Sequence, residues 1–329
     1  MNTWLSFNTI GVVPGNNQWA NLRYHDEVTL RIHNRSTTAP LSISNMVIST
    51  DKYILLNPPT FPLVIVPNSY YDQVVKFVEN TGSKGSRKAT LTITSDTSNQ
   101  PNAVINLGGI YMPQPEGSNE VNVSVIADAL GLKTNTQPIQ QGQWIPAGEE
   151  VMSKYWQRLD PNQPIYIRHI GAFHGCCDST AGITLDFLTG ADAKIAPAHH
   201  PDYGQSLHPL NYNYPGPPVN NLKFTELSVD NRDDPFEIVV GGITACNAPC
   251  GNMHGVRWWP ARDSSGLIVP GMYLVSMDYV NGGVGGTNYD YNDNPMLIWN
   301  VRPSAGADLP VDLMLSGSAA PDPVFVNND

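Results

Sequence analysis

The chain has 329 residues, of which only 14% are charged, and it carries 28 glycines and 28 prolines. That profile fits β-sheet with many turns and leaves few windows for a long helix. The net charge of −11 is uneven: residues 1–118 hold 8 Lys and Arg against 7 Asp and Glu, a net of +1, whereas residues 119–329 hold 10 against 22, a net of −12. Acidity confined to the second half suits cations and disfavours nucleic acid. No run of 18 apolar residues offers a membrane span, and the first residues lack the charged and apolar blocks of a signal peptide.

At this length two domains are expected. In residues 1–112, short strands are expected at 4–7, 28–34, 41–43, 63–66, 72–78, 89–94 and 104–107, separated by turn-rich stretches. This spacing predicts an immunoglobulin-like sandwich. His25 and His33 have no neighbouring ligand cluster in the sequence and read as structural. The order V-T-L-R-I-H-N, L-S-I-S, P-L-V-I-V-P-N-S, V-V-K-F, G-S-R-K-A-T-L-T-I-T-S-D and I-N-L-G-G resembles the Ig-like ASPM–SPD-2–Hydin domains, known in bacteria as choice-of-anchor D domains. The resemblance implies a spacer or docking module with no catalytic residues.

Residues 113–136 read as a linker with one short helix at 125–130, stopped by Gly131 and expected to pack on the sheet of the domain that follows. That domain, residues 137–329, is expected to be a second β-sandwich or jelly roll, with strands at 165–170, 183–188, 236–240, 256–259, 272–277, 296–301 and 312–315. The fold class is therefore all-β. The four cysteines form two tight pairs, Cys176 with Cys177 and Cys246 with Cys250. Two disulfides joining one pair to the other are expected, in an oxidising extracellular or cell-surface setting. Zinc on the same thiols is disfavoured by the vicinal pair and the absence of C-x₂-C.

Aromatic side chains concentrate in this half. Tyr203, His208, Tyr212, Tyr214 and Trp258 are candidates for a carbohydrate site, with the core as the competing place for Trp258. No G-x-S-x-G, H-E-x-x-H, P-loop or G-x-G-x-x-G occurs, so no enzyme is expected.

Near the far end, Asp278, Asn288, Asp290, Asn292, Asp293 and Asn294 supply hard oxygen donors of the kind Ca²⁺ selects. A glycine-rich gap at 280–287 lets Asp278 fold back beside Asp290 and Asp293. In an extended chain Asn288, Asp290 and Asn292 share one face, and Tyr289 and Tyr291 the other. The spacing is not that of an EF-hand.

The runs R-W-W-P-A-R-D, G-M-Y-L-V-S-M-D-Y, N-Y-D-Y-N-D-N and I-W-N-V-R-P resemble a C-terminal module of large secreted bacterial multidomain proteins, with a longer glycine-rich insert here. The resemblance implies a non-catalytic secreted module. Two functions follow as expectations: a calcium-stabilised structural protein that self-associates into a fibre, coat or matrix, or a calcium-dependent carbohydrate-binding adhesion module. In the first, the apolar triplet Val324, Phe325 and Val326 of the tail docks on another copy.

Overall fold

The computed structural model describes residues 3–11, 26–114, 117–139, 145–173, 183–195, 206–207, 226–229, 232–240, 243–245, 254–278 and 289–304. Eight strands come first: β1 (Thr3–Ile10), β2 (Glu27–Asn34), β3 (Leu41–Ile48), β4 (Tyr53–Leu56), β5 (Leu63–Ile65), β6 (Ser69–Phe77), β7 (Gly85–Ser95) and β8 (Asn102–Met112). They make two sheets, ordered β1-β8-β7-β3-β5 and β2-β6-β4. Alternate residues point inward from both, so Leu5, Phe7, Val28, Leu30, Val75, Phe77, Leu91, Ile93, Ile105 and Leu107 share one core. Each such side chain contributes about 1.5–3 kcal/mol on leaving water. This is the immunoglobulin-like sandwich. The first strand runs parallel to the last, and the remaining pairings are antiparallel.

The end of β8 departs from alternation, because residues 108–112 are all buried. Tyr111 belongs to the sandwich core, whereas Ile110 and Met112 enter a second cluster on the other face. That outer face is covered by α1 (Val123–Ala129). Asn122 caps the helix, its side chain accepting from the Val125 N–H, and Gly131 ends it in the left-handed region at φ 74°. The helix thus starts two residues earlier than its apolar pattern suggested, because the capping asparagine precedes that pattern.

The second half continues with β9 (Trp156–Arg158), β10 (Ile165–His169), β11 (Gly171–Ala172), β12 (Ile183–Phe187), β13 (Ala193–Ile195), β14 (Ser206–Leu207), β15 (Glu226–Val229), β16 (Phe236–Val240), β17 (Val256–Arg262), β18 (Ile268–Met277), β19 (Met296–Trp299) and β20 (Val301–Pro303). Its sheets are ordered β15-β10-β19-β18-β17 and β13-β12-β16-β9-β20, with β11 and β14 as a small separate ribbon. Trp156 stacks on Trp258 between the two large sheets, with centroids 3.9 Å apart.

The strand expected across 296–301 is broken at Asn300, whose φ of 63° turns the chain from one sheet to the other. Its amide donates to the carbonyls of Asp160, Gln163 and Pro164, which holds the corner. The strand expected at 312–315 lies outside the described residues.

The second cluster, on the outer face of β8, lies between the sandwiches. It joins Ile10, Ile110 and Met112 with Val123, Ile126 and Ala129 of α1, and with Trp259, Leu274, Leu297 and Tyr291 of the second half. The helix therefore does not pack on the second domain's sheet alone, as the sequence suggested; it is shared.

Candidate metal centre

The Asp/Asn stretch lies at this junction rather than on an open loop. Tyr289 and Tyr291 have φ of 57° and 50°, so the segment is not the extended strand its alternation implied. For bulky side chains this region is costly, about 1–2 kcal/mol each, and packing must hold it. Tyr291 is fully buried in the shared cluster with Tyr289 packed against it. Around them Asn292, Asp293 and Asn294 are buried, Asp290 is half-buried, and Asp278 is buried just beyond the end of β18.

Backbone and amide groups tie the segment on two sides. Towards the helix, the Val123 N–H donates to the Asp290 carbonyl at 3.0 Å, and Asn292 Nδ2 donates to the Val121 carbonyl at 2.5 Å. Towards the second sandwich, the Asp293 N–H donates to the Met277 carbonyl, and the Phe173 N–H donates to the carbonyl of Asp293. Asn292 Nδ2 also reaches Asp290 Oδ2 at 3.0 Å, while Asn292 Oδ1, in a side chain with no exposure, accepts no hydrogen bond.

Electrostatics single out one pair. Burial, followed by the charge of nearby Asp278, pushes the Asp290 carboxyl up to about 7. Lys84 opposes that shift from outside; its ammonium sits on the carbonyls of Ser118 and Glu120. Among the described residues no group of three His, Cys, Asp or Glu side chains is placed to hold a metal ion. The acidic pair is neighboured instead by amide side chains, and Asn288 lies outside the described residues.

Beside the pair is a polar cluster that no sequence motif announced. Glu150 takes His254 Nε2 on one oxygen and Arg257 on the other, and all three side chains are buried. His254 Nδ1 faces the Ala245 carbonyl at 2.5 Å. Arg257 lies over the Tyr291 ring at 4.6 Å, and the Tyr291 hydroxyl donates to the His254 carbonyl. The one hint in the sequence was an arginine in front of two tryptophans within an apolar strand; Glu150 is 107 positions away.

Of the other candidates, Trp258 is 1% exposed and stacked in the core, so its ring is closed to a sugar. Tyr203, His208, Tyr212 and Tyr214, the four cysteines Cys176, Cys177, Cys246 and Cys250, and the tail triplet Val324, Phe325 and Val326 lie outside the described residues.

No family model and no curated protein matches the chain. Among solved structures it is similar to the YadV chaperone, at 12% identity over 84% of this chain and 97% of that one, with a TM-score of 0.26. It is also similar to the Salmonella enterica SafA pilin in complex with the SafB chaperone, at 11% over 82% and 90%, TM-score 0.25. The secreted serine protease VesC from Vibrio cholerae matches at 8% over 91% of this chain and 50% of its own length, TM-score 0.23. Likenesses of this size carry no argument about function.

Proposed function

We propose that this chain is a non-enzymatic structural protein of the cell exterior, stabilised by Ca²⁺ at Asp278 and Asp290 and associating with copies of itself. The observation that carries the reading is the charge inventory of the junction. Asp278 and Asp293 are buried and Asp290 is half-buried at the junction, whereas the buried Arg257 beside them is already paired with Glu150. A divalent cation would offset these acidic side chains. The oxygens of Asn292 and Asn294 add the hard, uncharged donors that Ca²⁺ accepts alongside carboxylates.

Burial of Trp258 favours this reading over a carbohydrate-binding module built on that ring. Self-association draws support from the near-neutral first 118 residues beside a remainder at −12, a pairing that favours head-to-tail contact.

Ca²⁺ held only by the folded state raises stability by about 3 kcal/mol at a free concentration roughly a hundred times Kd. EDTA is therefore expected to lower the melting temperature, excess Ca²⁺ to restore it, and Asp290→Ala to abolish the difference. A melting curve indifferent to EDTA would remove calcium from the reading. A chain that stays monomeric by light scattering at high concentration, with Ca²⁺ bound, would remove self-association and leave the adhesion module.

A further inference from the structure

We infer that β5 is the edge on which the tail of a second copy adds as a strand. The inference rests on the self-association reading and names the surface and the segment that make the contact. β5 ends its sheet, with β3 on one side and, among the described residues, no strand on the other. Ser42 of β3 stands opposite Val64. Both backbone groups of Ser42 are committed to Asp96: its N–H donates to Asp96 Oδ1, and its carbonyl accepts from the Asp96 N–H. In an antiparallel ladder, facing residues exchange both bonds or neither, so Ser42 and Val64 form a non-bonded pair. The N–H and carbonyl of Val64 therefore point away from β3, to the open side.

The same edge is apolar. Val64 is 55% exposed and Val66, just beyond β5, is 59% exposed. Residues 57–68 carry no charged side chain. Arg35 is exposed beside them, between Asn34, whose amide donates to the Ile65 carbonyl, and Ser36, whose carbonyl accepts from the Asn68 N–H. Pro62 has no N–H to offer before Val64, and Pro67 closes the stretch, so only a short strand fits. The tail has that form. Residues 305–329 hold four aspartates and no Lys or Arg, and Val324, Phe325 and Val326 stand between Pro323 and Asn327. Three β-prone residues match the open stretch, and their acidic surroundings match Arg35. Tail and edge belong to opposite halves of the chain, so each copy offers one end to the next and the contact does not close.

Sedimentation of the full chain over a concentration series, with Ca²⁺ present, tests the docking edge. The parent is expected to grow into open oligomers. Val64→Pro removes the outward donor, and Val64→Glu sets a negative charge against the acidic tail. Both are expected to keep the parent's melting temperature, because the Val64 side chain is exposed and its N–H makes no bond to β3. Each, like Phe325→Asp, is expected to weaken association about tenfold or more. Val104→Glu, exposed on the same sheet away from this edge, is expected to leave association unchanged. Mixing the Val64→Pro and Phe325→Asp chains is expected to give dimers and nothing larger, because one intact edge meets one intact tail. Val64 variants, or a Phe325→Asp chain, that associate as the parent does overturn the docking edge and spare self-association. A parent that stays monomeric, its tail held on its own copy or on none, overturns both.

Discussion

The carboxylate of Glu150 holds Arg257 and the His254 ring with its side chain fully buried, whereas Asp72 holds Arg31 in a bidentate pair about a third exposed. Geometry alone would rank them together, but solvent separates them. An exposed pair contributes about 0–1 kcal/mol, because water screens it and both side chains lose rotamer freedom. Removing one member of a buried pair costs about 3–5 kcal/mol, because the other charge stays behind unpaired. Glu150→Ala is therefore expected to lose about that much in urea unfolding, and Asp72→Ala less than about 1 kcal/mol. The double variant Glu150→Leu with Arg257→Met should recover much of the loss, since an apolar replacement leaves no stranded charge. Equal costs for Glu150→Ala and Asp72→Ala would mean the buried cluster is hydrated.

Among elements, β8 is the most constrained, because it is buried on both faces where Gly108 and Gly109 stand together. A Cβ on Gly109 would come within 2.8 Å of Phe77 and Tyr53, side chains of the inner core that can shift. A Cβ on Gly108 would strike the backbone of α1, which cannot yield without the helix moving. Gly108→Ala is thus expected to expose α1 to hydrogen exchange with the strands intact, and Gly109→Ala to cost the first core about 1–3 kcal/mol. A Gly108→Ala protein with α1 still protected would show that the helix has room.

Most strands were legible for a simple reason: a sandwich strand has one wet face, and its residues alternate. The ones that escaped are too short or too uniform to alternate, such as Y-I-L-L of β4 and W-Q-R of β9. The Asp/Asn stretch stood out by composition, but its burial did not. Two tyrosines with positive φ leave no mark in a pattern that looks like a strand. Glu150, His254 and Arg257 were invisible because partners 104 and 107 positions apart share no motif.

At the scale of the molecule, the stems of both cysteine pairs end at the same place. Phe173, three residues before Cys176, donates its N–H to the Asp293 carbonyl. Ala245, next to Cys246, accepts from His254, whose own carbonyl takes the Tyr291 hydroxyl. Stems anchored on neighbouring residues of one segment support cross-pairing of Cys176 and Cys177 with Cys246 and Cys250. Each bridge is expected to contribute about 3–4 kcal/mol in the chain-entropy model. Peptide mapping without reductant is expected to find cross-linked fragments from the two regions. Four free thiols would end the disulfide proposal and with it the extracellular assignment.

The shared helix has one more consequence, for the order in which the protein can be made. A ribosome delivers β8 with Ile110 and Met112 uncovered on their outer face. The helix that covers them follows within a few turns, but its own start is held by Asn292, 171 residues after Val121. The first sandwich therefore leaves the exit tunnel able to fold its inner core yet not to seal its outer seam. That seam is completed only once synthesis has passed Asn292, and the completion of one half is a co-translational event that belongs to the other.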